Sequence, residues 1–214
     1  MADPFLSQKP VRVFKSDERS RVWQVGTGRD ARVLKAYGDT SLGGKLKALT
    51  GLHPAQVEVK RAKQMRGAGL AVVPIEAAGT LQGRRVLASP LMGASLQALQ
   101  ADPAGDNWPD DAARRFALDA VVELVNEMFR AGFVNRDLKT SNLVVGPDDF
   151  RHVLMIDVAG ARRSTDTAAR RRTVDMLVRT MTADGYPDRE VANVERRIEV
   201  EPGQLLISEK TGRD

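Results

Sequence analysis

The stretch Val134-Asn-Arg-Asp-Leu-Lys-Thr-Ser-Asn142, followed by Val153-Leu-Met-Ile-Asp157, decides how the rest of the chain is read. It divides into a short loop, a strand from Leu143 to Val145, a hairpin turn at Gly146-Pro147-Asp148-Asp149, and a second apolar strand that ends in an acid. Such a hairpin gathers Asp137, Lys139, Asn142 and Asp157 at one end. One carboxylate orients a hydroxyl, and one Lys meets a phosphate. An Asn and an Asp share a divalent metal through oxygen, the ligand type that Mg²⁺ prefers. This set suits phosphoryl transfer, in which the protein mainly positions groups and neutralises charge.

Immediately upstream, residues 110–131 carry the clearest helical pattern. Asp110 or Asp111 caps it, Phe116, Ala120, Val121, Leu124, Val125 and Met128 form an apolar stripe, and Gly132 closes it. This helix delivers Phe133-Val134 to the loop. Farther back, 11–15, 21–25 and 31–37 read as strands of an antiparallel sheet, with a turn at 26–30. Residues 72–75 and 85–89 read as two more, divided by a turn at 79–83. Between them, 40–51 is basic and glycine-punctuated, a loop with a short helix. Residues 53–66 form a helix that places Val57, Arg61 and Met65 on one face. Pro90-Leu-Met-Gly93 is a link, 94–100 a short helix and 101–109 a polar loop. Downstream, 165–183 is a helix with Val174, Leu177, Val178 and Met181 as its apolar face. Its Arg170, Arg171, Arg172 and Arg179 read either as a solvated face or as contacts to anionic sugar or lipid groups. Asp184-Gly-Tyr-Pro187 breaks this helix, and 188–200 forms another.

The 214 residues suit one two-lobed domain or two small ones, with 42% hydrophobic and 29% charged residues as in soluble globular proteins. No apolar run reaches the length of a membrane span, and the first residues lack the pattern of a signal peptide. Cytoplasm is therefore the expected location. Without cysteine there are no disulfides, thiolate metal sites or Cys nucleophiles. A net charge of +5 fits a solvated surface or an anionic partner. Aromatic residues make up 5% and do not interleave with basic segments, which argues against nucleic acid as a partner.

Asn135-Arg136-Asp137-Leu138-Lys139-x-x-Asn142 resembles the H-R-D-L-K-x-x-N catalytic loop of protein kinases. Ile156-Asp157-Val158-Ala159-Gly160 resembles their metal-binding D-F-G region, lengthened by one residue. The wider chain, from roughly position 20 to 180, most resembles the small bacterial lipopolysaccharide kinases, the Kdo/heptose kinase group of the kinase-like fold.

The resemblance implies an α+β, protein-kinase-like two-lobed fold. Its N-terminal nucleotide-binding lobe (1–90) is an antiparallel sheet plus a helix, and its C-terminal catalytic lobe (91–214) is mainly helical. It further implies that Lys35 holds ATP phosphates and that Glu58, on the helix behind it, keeps that Lys in place. Asp137 becomes the catalytic base, Lys139 a second catalytic residue that neutralises the transferred group, and Asn142 and Asp157 the Mg²⁺ ligands. The chain departs from the kinase pattern in three places. Gly26 and Gly28 lack the G-x-G-x-x-G spacing, Asn135 stands where kinases carry His, and Gly160 comes one residue late behind Ala159. No long activation segment and no A-P-E follow Gly160, which favours a small or lipid-linked acceptor over a peptide.

The implied function is ATP- and Mg²⁺-dependent phosphorylation of a sugar hydroxyl on a lipopolysaccharide core-type glycolipid, with peripheral contact at the inner membrane. The alternatives are an atypical Ser/Thr protein kinase and a pseudokinase that serves as a binding module.

Overall fold

The computed structural model describes residues 8–18, 20–38, 52–101, 108–146 and 149–201. Its first layer is a five-stranded antiparallel sheet made of β1 (Arg12–Ser16), β2 (Ser20–Val25), β3 (Arg32–Tyr37), β4 (Ala77–Leu81) and β5 (Arg84–Pro90). The strand order is β1-β2-β3-β5-β4, so β3 lies in the middle, with Lys35 opposite Val22 on one side and Leu87 on the other. The two-residue alternation of a strand sorts β3 onto two faces. Leu34 and Ala36 pack with Trp23, Val25, Val86 and Ala88. Lys35 and Tyr37 point the other way, and there Tyr37 packs with Leu87 and with Ala55 of α1 (Pro54–Gly67).

The helix α1 starts at a proline in its first turn, where the missing N–H costs nothing, and the His53 ring accepts from the Ala55 N–H. Its buried face is Ala55, Glu58, Ala62 and Met65. The face expected from Val57, Arg61 and Met65 is therefore rotated, and only Met65 is common to both. Glu58 is thus a carboxylate inside an apolar stripe.

Residues 72–75 do not join the sheet. Val73 donates to the Met155 carbonyl (3.0 Å) and Met155 donates to the Ala71 carbonyl (2.9 Å), clipping this segment to β9 (Val153–Met155). Pro74 lacks the N–H that a continuing ladder needs. The strand is instead Ala77–Leu81, joined to β5 by a two-residue turn in which Gln82 (φ 50) and Gly83 (φ 77) both have positive φ, as tight hairpins require. The basic segment 40–51, where a loop and short helix were expected, lies outside the described residues.

After the link at 91–93, β6 (Ala94–Ser95) pairs with β8 (Leu143–Val145), which pairs with β9. Gly93 has φ 136, and a Cβ there would stand 1.9 Å from the Val145 carbonyl oxygen, so the link passes where no other residue fits. Ser95 caps α2 (Leu96–Gln100), and Asp110 caps α3 (Asp111–Arg130) through the Ala113 N–H. The helix α3 buries Ala117, Val121, Leu124, Val125, Met128 and Phe129. Phe116, assigned to the stripe from sequence, sits outside it at 40% exposure, under the Arg151 guanidinium. Trp108, expected in a polar loop, is buried against Phe150.

Two three-residue strands had no sequence signature: β7 (Phe133–Asn135) pairs with β10 (Ala161–Arg163). They bring the chain back beside the 134–142 loop soon after Asp157, and α4 (Thr167–Ala183) follows directly. The helix α4 is capped by Asp166 and buries Val174, Leu177 and Met181. Arg170, grouped with the surface arginines from sequence, is buried. It donates to the carbonyls of Phe129 (3.0 Å) and Val200 (3.3 Å), tying α3 and the chain beyond α5 (Asp188–Arg197) to α4. No helix among the described residues is long and apolar enough to cross a membrane.

Candidate active site

The sheet, α1 and the β8–β9 hairpin converge on Lys35. Its Nζ lies 2.9 Å from Glu58 Oε2 and 2.6 Å from Asp157 Oδ1, joining residues from the sheet, the helix and the hairpin end. Tyr37, two residues along the same face of β3, donates its hydroxyl to the same Glu58 oxygen, and the Lys35 ammonium lies 5.1 Å from the Tyr37 ring centre.

Burial by itself would lower the Lys35 pKa. The charges of Glu58 and Asp157 outweigh it and hold the ammonium above the ordinary lysine value. Burial pushes the Glu58 carboxyl up, and the Asp157 charge adds to this. Lys35 and the Tyr37 hydroxyl pull it back only in part. Burial and the Glu58 charge drive the Tyr37 phenol well above its usual range, so it stays a hydrogen-bond donor.

Asp157 adopts a left-handed backbone conformation (φ 53, ψ 53), one of two non-glycine residues with positive φ among those described. Asp tolerates this region better than most residues, yet it remains uncommon and clusters at functional sites. The Ile156 N–H donates to the Asn142 carbonyl (2.9 Å), which sets Asn142 beside the chain entering Asp157.

The 134–142 loop is held from inside. Asn135 is fully buried, and its Oδ1 accepts from the Asp137 N–H (3.1 Å). Asn142 donates from Nδ2 to the Asp137 carbonyl (2.9 Å), and Lys139 Nζ lies 3.2 Å from Asp137 Oδ1. Gly160 backs onto this loop. A Cβ at Gly160 would meet Asn135 Oδ1 at 2.9 Å and the Asp137 Cβ at 3.2 Å. A cleft of about 490 Å³ opens beside it, lined by Pro54 and Val57 of α1 and by Arg136, Asp137, Asp157 and Gly160. Its size is that of small-ligand sites.

No family model matches the chain, and no curated protein matches it in sequence. Solved structures do match. The structure of WaaP in complex with acyl carrier protein superposes with a TM-score of 0.55 at 17% identity, covering 92% of this chain and 84% of that one. The structure of vaccinia related kinase 3 superposes with a TM-score of 0.52 at 14% identity, covering 88% of this chain and 71% of that one. The chain has a protein-kinase-like fold.

Of the six residues singled out from the kinase-like motifs, Lys35, Glu58 and Asp157 form one bonded group, and Asp137, Lys139 and Asn142 form a second. The Asn142–Ile156 backbone bond joins the two groups. Tyr37 and Gly160 went unassigned in the sequence. The alternation of β3 was a signal for Tyr37, since it shares a face with Lys35. The D-F-G resemblance marked the position of Gly160 but gave it no role, because its constraint comes from Asn135 and Asp137, distant in the chain.

Proposed function

We propose that the chain is an ATP- and Mg²⁺-dependent kinase whose acceptor is a sugar hydroxyl, carried on a lipopolysaccharide core-type glycolipid at the cytoplasmic face of the inner membrane. The observation that carries the proposal is the double engagement of Lys35 with Glu58 and Asp157, the last of which lines a cleft together with Asp137. A cation fixed this way is preset to meet nucleotide phosphates, and the carboxylates hold it charged. In this reading residues 1–90 bind the nucleotide and 91–214 carry catalysis.

The oxygen donors fit Mg²⁺. Asn142 uses its Nδ2 on the Asp137 carbonyl, leaving Oδ1 for a ligand, and only one Asp157 oxygen faces Lys35. Among the described residues no group of three or more His or carboxylate side chains forms a cage. That agrees with an ion held by one or two side chains plus substrate phosphates. Bound there, Mg²⁺ would supply neutralisation of the phosphate charge.

Asp137 accepts the proton of the acceptor hydroxyl as that oxygen bonds to the γ-phosphorus. The bond from the γ-phosphorus to the bridging oxygen breaks, and ADP leaves with the electron pair. Lys139, beside Asp137, neutralises the phosphoryl oxygens, and Lys35 holds the remaining phosphates. The short path from Asp157 through β10 to α4 leaves little chain to clasp a peptide, which supports a small or lipid-linked acceptor. The lipopolysaccharide assignment rests on the sequence resemblance.

The test is transfer of labelled γ-phosphate from ATP to purified core glycolipids and to generic protein acceptors, by wild type and Asp137→Ala. Label on the glycolipid that vanishes in the variant is expected. Label on proteins alone overturns the acceptor, and equal label from the variant overturns the role of Asp137.

A further inference from the structure

We propose that Asp184 is a positioning residue that holds the catalytic loop through Thr140. For its effect on rate, the proposal rests on the phosphotransferase reading above. Thr140 sits between Lys139 and Asn142 at the start of a tight 3-10 turn, and its side chain is almost completely buried. Two bonds from α4 reach it. Its hydroxyl donates to Asp184 Oδ2, and its N–H donates to Thr180 Oγ1 (3.3 Å). The other Asp184 oxygen accepts from Gln97 Nε2 of α2 (3.1 Å). One carboxylate therefore ties the helix that follows the 91–93 link to the loop that carries Asp137, Lys139 and Asn142.

Asp184 opens the Asp-Gly turn that ends α4, yet its charge is unfavourable there. It caps the C-terminal end of α4, where the helix dipole disfavours an anion and favours a cation. A residue that violates a local rule needs a compensating tertiary role, and the bonds to Thr140 and Gln97 are that role. The neighbouring contacts make the mount rigid. Tyr186 donates its hydroxyl to the Leu96 carbonyl (3.0 Å), and Gln100 donates to the Gly185 carbonyl (3.3 Å). Without Asp184, the loop keeps its internal bonds around Asp137 and the Thr140 N–H bond to Thr180 Oγ1, but the Thr140 hydroxyl loses its carboxylate partner and with it the tie to α2. Lys139 precedes Thr140 and Asn142 ends the same 3-10 turn, so they are the groups that shift.

The experiment compares wild type with Asp184→Ala, Thr140→Val, the double variant, Thr140→Ser and the milder Asp184→Asn, using full-length chains. Hydrogen exchange reads the anchor directly. Amides of 139–142 are expected to exchange about tenfold faster in Asp184→Ala, with α3 unchanged. In phosphoryl transfer, kcat is expected to fall roughly 10- to 100-fold, the usual effect of losing an outer hydrogen-bond partner, with the KM for ATP within about twofold. Thr140→Ser retains the hydroxyl and the rate, and the double variant is no worse than the worse single one, because both remove the same bond.

Losses that multiply in the double variant, a Thr140→Ser as slow as Thr140→Val, or unaltered exchange in 139–142 each overturn the proposal. Should Asp184→Ala not fold, Asp184→Asn carries the same readouts at smaller amplitude. If the wild type transfers no phosphate but exchange still rises in Asp184→Ala, the anchor stands and the phosphotransferase reading falls.

Discussion

Replacing Lys35 with Met removes the ammonium that both Glu58 and Asp157 face. At 2.9 Å and an effective dielectric constant of about 20, the Lys35–Glu58 attraction is on the order of 6 kcal/mol before desolvation is counted. Desolvation costs several kcal/mol per ion and cancels most of it, so the intact pair contributes little net stability. Removing one partner of a buried pair is different, because the survivor stays buried and uncompensated at a cost of about 3–5 kcal/mol. Glu58 is that survivor, with a side chain 9% exposed, whereas Asp157 at 36% regains water. Glu58 also keeps the Tyr37 hydroxyl.

The low end of the range follows, about 3 kcal/mol for Lys35→Met, most of it recovered in Lys35→Met/Glu58→Gln. The assay is urea unfolding, comparing midpoints at constant slope. Its pH dependence has a fixed sign. The Glu58 carboxyl already titrates above its ordinary value through burial, and losing Lys35 raises it further. A group whose folded pKa lies above its unfolded one takes up a proton on folding, so stability is highest at low pH and declines as pH rises through the folded value. The deficit of Lys35→Met relative to wild type should therefore be smaller near pH 5 than near pH 8, to use roughly bracketing values. A double variant less stable than the single, or a deficit that grows as pH falls, refutes the reasoning.

Gly160→Ala inserts a methyl group 2.9 Å from the buried Asn135 Oδ1, and overpacking of this kind costs about 1–3 kcal/mol; urea midpoints read the loss, and phosphoryl transfer should fall with it as Asp137 shifts. Arg170→Met leaves the Phe129 and Val200 carbonyls without their guanidinium donor. A loss of about 2–4 kcal/mol is expected, with faster hydrogen exchange at 198–201 and unchanged nucleotide affinity. Gly93→Ala places a Cβ 1.9 Å from the Val145 carbonyl, and a thermal melt should show destabilisation above about 4 kcal/mol or no folded protein.

Where the sequence was informative, the signal was local. The helix α3 has a capping Asp, a continuous apolar stripe and a closing glycine, so its limits were legible to within a residue. The β8–β9 hairpin was legible because two apolar runs flank a turn. Longer-range pairings left no such trace. The strands β7 and β10 are three residues each, too short for alternation to show, and they form because the chain after Asp157 doubles back. Val72-Val73-Pro74-Ile75 has strong strand composition but gives its hydrogen bonds to Met155 and Ala71, while Ala77–Leu81, with Gly79 inside it, becomes the edge strand because β5 offers it a partner. Burial of charge was similarly hidden at Arg170, which sits in a helix whose other charges face water and is set apart only by its tertiary partners, whereas Glu58 was marked by the kinase resemblance and not by its own helix. For the candidate site, the motif residues could be listed from sequence, but the Tyr37 hydroxyl on Glu58, the Gly160 approach and the Asp184 anchor could not.

Calorimetric titration of ATP into wild type and Asp157→Ala, each with and without Mg²⁺, tests the proposed nucleotide site most directly. Tighter binding with Mg²⁺ in the wild type, and loss of that Mg²⁺ dependence in the variant, is the predicted result. A wild type that ignores ATP, or one whose affinity is the same with and without the metal, contradicts it.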